Sequence, residues 1–133
     1  MYLQRFNLHD AIDAALGRFA DDARAKELNL ARRLADDLPR DVFGDLDTLS
    51  VLLGRLLDHA IRCTERGEVI VSARRELGDK FRFAVSDTGR GMSPEDSLRF
   101  VTAMDGDVGV HTAPELGSTA WFFARLEPTP GIP

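Results

Sequence analysis

Between Asp45 and Cys63 the chain repeats leucine with a helical rhythm, placing Leu49, Leu52, Leu53, Leu56, Leu57, Ala60 and Ile61 at i, i+3, i+4 and i+7 spacing. A helix with a stripe this apolar has to bury it against a second layer. Asp45 stands at the N-cap, where its carboxylate can accept from the amides of the first turn. The other side of the helix carries Arg55, Asp58, His59 and Arg62, which fall on one polar stripe. On a solvated face Asp58 would pair with Arg62 or Arg55. In a site, the same stripe would offer two guanidinium groups and an imidazole to a ligand.

The second layer is legible as strands. Val69 to Arg75 and Lys80 to Asp87 alternate apolar and polar residues on either side of the connection Leu77-Gly78-Asp79, and so read as an antiparallel pair. Val108 to Thr112 and Ser118 to Leu126 are two more strands around the turn Ala113-Pro114-Glu115-Leu116-Gly117. Upstream, Phe6-Asn7-Leu8 is short and extended, and His9 to Lys26 places Ile12, Leu16, Phe19 and Ala20 at helical spacing. Leu28 to Leu34 alternates like a strand, and Val42-Phe43-Gly44 is a brief extended step. Ser93-Pro94-Glu95-Asp96 has cap chemistry, so Leu98, Val101 and Met104 predict a short helix ending at Asp105-Gly106. This order predicts an α/β (α+β) fold, a two-layer sandwich whose mixed, mostly antiparallel sheet is covered by helices on one face. It predicts one domain over residues 1–127 and a tail over 128–133.

Composition narrows the function classes. The 133 residues, 44% apolar, suffice for one compact domain with its own core. With 22 acids against 17 bases the net charge is -5, which argues against nucleic acid as a partner. Cys63 is the single cysteine, so no internal disulfide can form and a thiolate zinc site is excluded, in keeping with a reducing cytoplasm. No apolar run approaches a membrane span and Met1 to Asp10 is not a signal peptide, so the expectation is a cytoplasmic domain without membrane contact.

The stretch Phe83-Ala84-Val85-Ser86-Asp87-Thr88-Gly89-Arg90-Gly91-Met92 is the candidate site. Phe81, Phe83 and Val85 mark the buried face of a strand, and Asp87 continues that alternation where the strand stops. A carboxylate there is costly to bury unless something donates to it. Gly89 and Gly91 follow, with no side chain to keep a ligand from the backbone.

Taken together and in this order, the segments resemble the ATP-binding catalytic domain of bacterial sensor histidine kinases, a branch of the Bergerat-type ATPases. Phe6-Asn7-Leu8 looks like the entry strand of that family and Gly44-Asp45-Leu46-Asp47 like the turn opening its nucleotide-side helix. Leu56 to Thr64 looks like its asparagine box, Val85 to Met92 like its first glycine box, and Gly117-Ser118-Thr119 like its closing motif. The resemblance implies that Asp87 accepts from the adenine amino group, that Gly89 and Gly91 let base and sugar lie against the backbone, and that Thr119 helps hold a bridging water. It implies ATP as the ligand and a two-component pathway as the setting, with a dimerisation and phosphoacceptor domain or a response regulator as partner.

The chain departs from the family on the phosphate side. The two asparagines that the family often places on the helix are here Arg55 and His59, and an imidazole is a poor magnesium ligand. Arg62 stands where the family often has a phosphate-facing lysine, and Asp58 lies on the same stripe. Between Met92 and Asp107 there is no second glycine box and no long lid, so the amides that would cradle phosphates are missing. His9, His59 and His111 are the only histidines, and none sits in the family's acceptor motif. The expectation is a pseudokinase or regulatory docking module with weak or absent ATP binding, no bound magnesium and no catalytic residue of its own. The alternative is a divergent, active kinase domain using Arg55 and Arg62 to hold phosphate and phosphorylating a histidine on a separate dimerisation domain.

Overall fold

In the computed structural model, residues 3–64, 66–88, 108–113 and 117–128 are described. The elements run β1 (Gln4–Asn7), α1 (Leu8–Ala25), β2 (Asn29–Leu34), β3 (Asp41–Gly44), α2 (Leu46–Cys63), β4 (Glu68–Leu77), β5 (Lys80–Asp87), β6 (Val108–Ala113), β7 (Gly117–Arg125) and β8 (Glu127–Pro128). The short helix read over Leu98 to Met104 lies outside the described residues.

Strands β2, β4, β5, β7 and β6 form a five-stranded sheet in that order. Only the β2–β4 pairing is parallel, so the sheet is mixed and mostly antiparallel. A second, three-stranded sheet in the order β1-β3-β8 closes one side, with Val42 opposite Pro128 and Phe43 opposite Glu127. Pro128, which the composition assigns to the tail, is therefore a paired strand residue.

Alternation decides which face the helices cover. Val69, Val71 and Ala73 of β4, Phe81, Phe83 and Val85 of β5, and Ala120 and Phe122 of β7 are all buried with the helix leucines in one core. Phe83 and Phe122, directly opposite in register, stack with ring centroids 5.3 Å apart. From α2 the core takes Leu49, Leu53, Leu56, Leu57, Ala60 and Ile61. Leu52, which the leucine rhythm assigns to the core, is only half-buried, because it sits at the margin of the stripe and lines a cavity with Phe43 and Phe122. In α1 the buried seam is Leu8, Ile12, Ala15 and Ala23, with Leu16 and Phe19 packed at its edge.

Both helices begin on the side chains that the sequence offers as caps. The Asn7 side chain accepts from the Asp10 amide at 2.9 Å, and Asp45 accepts from the Thr48 amide at 3.0 Å and its hydroxyl at 2.6 Å. At the far end of α2, Lys26 Nζ donates to the Ile61 carbonyl at 2.6 Å and the Arg62 carbonyl at 3.2 Å. A cation on the last carbonyls satisfies groups the helix leaves open and opposes the negative end of its dipole. The contact also fixes the end of the polar stripe relative to α1.

Candidate functional site

The site is built where β5 ends. Asp87 lies opposite Val69 on one side and Ser118 on the other, so three strands set its backbone position. It is half-buried, on the same side of the sheet as Val85 and Phe83. The next residue locks the strand end: the Thr88 amide donates to the Glu68 carbonyl at 3.2 Å, and the Thr88 hydroxyl accepts from the Glu68 amide at 3.0 Å. Gly67 makes room for this, since its φ of 108° is in the region glycine favours and a Cβ there would collide with Thr88 Oγ1. The sequence reading missed Thr88 and Gly67 as positioning residues. The signal was faint, a glycine just before one strand and a hydroxyl just after its partner.

Thr119 stands one residue along β7 from Ser118, the register partner of Asp87. In register it faces Ser86, and its hydroxyl lies 3.0 Å from the Ser86 hydroxyl on the sheet face turned away from the helices. Gly89 and Gly91 lie outside the described residues.

The helical stripe is at the same end of the sandwich, because β4 begins shortly after α2 stops and its first residues pair with the end of β5. Arg62 forms an ion pair with Asp58 across one turn, both partly solvated, which is the pairing of an ordinary helix face. His59 Nε2 lies 3.6 Å from Cys63 Sγ, and Arg55 is exposed. Among the described residues no cluster of three or more His, Cys, Asp or Glu side chains is placed to hold a metal. The donor set does not suit magnesium, which prefers oxygen ligands: on this stripe the carboxylate is engaged by an arginine, and an imidazole stands beside a thiol.

A cavity of about 470 Å³ lies elsewhere, at the other end of the sandwich between the start of α2 and the start of β5, lined by Asp45, Leu52, Asp79, Phe122 and Leu126 among others. None of the described candidate residues lines it. Asp45's carboxyl is held below its ordinary value by the Thr48 hydroxyl and then the Thr48 amide, so it stays ionised as a cap.

Comparison with known proteins follows the same geometry. Residues 44–103, which span α2, β4, β5 and the glycine motif, match the family described as histidine kinase-, DNA gyrase B- and HSP90-like ATPases. The chain is 28% identical over 156 aligned residues to sensor histidine kinase GacS of Pseudomonas protegens, covering 93% of this chain and 17% of that one. The chain is similar to this ATPase family over residues 44–103. It is 26% identical to signal transduction histidine-protein kinase BarA of Escherichia coli over 96% of its length, again 17% of the relative, so it spans about a sixth of both. Among solved structures, full-length ShkA in complex with AMPPNP superposes with a TM-score of 0.84 at 23% identity, over 97% of this chain and 32% of that one. The catalytic domain of histidine kinase ThkA superposes with a TM-score of 0.78 at 16% identity, over 94% and 96%. The domain is thus of the histidine-kinase catalytic-domain type in fold. Among its described residues no helix is long and apolar enough to cross a membrane.

Proposed function

We propose that this ATPase domain serves a two-component pathway as a pseudokinase or regulatory docking module, in the cytoplasm, with adenine recognition kept at Asp87 and phosphate handling lost. The polar stripe carries the reading. Where a working site needs hard oxygen for magnesium and fixed donors for the transferring phosphoryl group, α2 offers an Asp58–Arg62 ion pair and His59 beside Cys63. On the base side, a half-buried carboxylate at the end of a three-strand register suits a hydrogen-bond donor such as the adenine amino group. Its partner would be a dimerisation and phosphoacceptor domain or a response regulator. ThkA, whose fold it shares, has been solved in complex with the response regulator TrrA.

Adenosine, ADP and ATP should then bind with similar, weak affinity in isothermal titration, with magnesium making no improvement. A second reading, a divergent active kinase domain, draws on Arg55 and Arg62, two guanidinium groups on one helix that attract phosphate by charge. It requires strong preference for ATP over adenosine and phosphoryl transfer to a supplied dimerisation domain.

A further inference from the structure

The sheet face turned away from the helices gathers arginines from three adjacent strands. The register sets Arg74 of β4 directly opposite Arg82 of β5, while Arg33 of β2 faces Ser72, one pleat from Arg74. Like charges directly opposed on neighbouring strands are destabilising, so the fold carries this pair at a loss. A cavity of about 300 Å³ is lined by all three arginines, and among the described residues no carboxylate lines it. Arg74 reaches Glu76 at 2.8 Å, which among the described residues sets one carboxylate against three guanidinium groups.

Arg82 is the most constrained of the three. It is half-buried, and burial followed by repulsion from Arg74 lowers its pKa. Its guanidinium lies 5.4 Å from the Trp121 ring centroid, and that ring lies so close over Gly109 that a Cβ there would collide with it. Further along the same face, Lys80 Nζ sits 4.2 Å from the ring of Phe123, which is 44% exposed. Cations alternate with aromatic rings across this surface, on the side of the sheet opposite Asp87.

We propose that this face, centred on Arg74 and Arg82, docks an acidic segment of a partner protein. Its Asp or Glu side chains would be held by the arginine forks and its apolar flank would rest on Trp121 and Phe123. A carboxylate seated between Arg74 and Arg82 turns one repulsion into two attractions, and planar guanidinium groups match carboxylates in bidentate geometry. Charge favours a short acidic peptide over nucleic acid. With 22 acids against 17 bases the chain as a whole repels a long polyanion, whereas a short segment within a Debye length senses only the local cations. The inference does not depend on whether nucleotide binds.

Trp121 is the only tryptophan, so its emission reports on this face directly. The chain is titrated at low salt with synthetic hexaglutamate, with oligothymidylate of equal charge and with inorganic phosphate. The expected result is a saturable change in Trp121 emission with hexaglutamate that fades as salt is raised. Arg82→Glu should weaken binding by about tenfold or more, as for a charge at the centre of an interface. Arg33→Glu, at an exposed edge-strand position and with its fold checked by circular dichroism, should weaken it severalfold and decides the matter if Arg82→Glu does not fold. The proposal is overturned by no saturable response to hexaglutamate, by equal binding in parent and Arg33→Glu, or by oligothymidylate or phosphate binding as well as hexaglutamate.

Discussion

The two halves of the candidate site are held in opposite ways. Asp87 ends a strand buried from Phe83 to Val85, its backbone is fixed by β4 and β7, and Glu68 holds Thr88, the residue beyond it, in the space that Gly67 leaves. The α2 stripe is the solvated side of a helix whose position is set by leucines on its other side. A group held by the sheet register cannot drift without unpairing strands, whereas residues on an exposed helix face can change with little effect on the fold. Asp87 matches the motif that the sequence resembles and Arg55 and His59 depart from it, which is the pattern this difference in constraint leads one to expect.

The largest effect should come from the buried side of α2. Leu56 is 1% exposed in the core, and Leu56→Ala should lower unfolding free energy by about 2–5 kcal/mol in denaturant titration, the range for truncated core leucines. A variant as stable as the parent would remove α2 from the core and break the contrast at its root. Asp87→Asn should next abolish measurable binding of adenosine, ADP and ATP alike, a loss of about 1.5–3 kcal/mol for a hydrogen bond to a charged group, while leaving stability nearly unchanged. Retained adenosine binding in titration calorimetry would mean that the base is not read by Asp87.

Acid should reveal a smaller effect at the start of α2. Asp45's carboxyl is depressed in the folded chain by Thr48, so the stability it adds is complete above its ordinary value and is lost as pH falls through the lower, folded value. Asp45→Asn keeps an acceptor for the Thr48 amide but has no proton to bind, so its melting temperature should fall less steeply than the parent's on acidification. The smallest effect belongs to the stripe. Asp58→Ala removes an exposed i, i+4 ion pair, and its effect on unfolding free energy should stay near 0.3–0.5 kcal/mol. A loss of several times that would show the stripe to be structural rather than a solvated face.

Periodicity made most of the fold legible. The leucines of α2, the alternation in β4, β5 and β7, and the caps at Asn7 and Asp45 each follow from local chemistry. Leu52 escaped that reading because rhythm assigns a residue to a face but not to the depth of the neighbouring layer. The three-stranded sheet escaped it because β1, β3 and β8 are too short to show alternation, and Pro128 follows Glu127 into pairing only through its partner Phe43 and Val42. At the site, Asp87 was legible as an acid at a strand end, whereas the pairing of Thr119 with Ser86 was not. Motif spacing ignores the parity of the strand, and a shift of one moves a side chain to the other face.

The central claim is that base recognition outlives phosphate handling, and titration calorimetry of adenosine and ATP, each with magnesium and with a chelator, tests it most directly. The account predicts similar weak affinities for both ligands in the parent, ATP binding that magnesium fails to improve, and no hydrolysis or phosphoryl transfer in His59→Asn, where one oxygen ligand is restored without the lid amides. Tight ATP binding that depends on magnesium and far exceeds adenosine binding, with phosphoryl transfer to a supplied dimerisation domain, would contradict it.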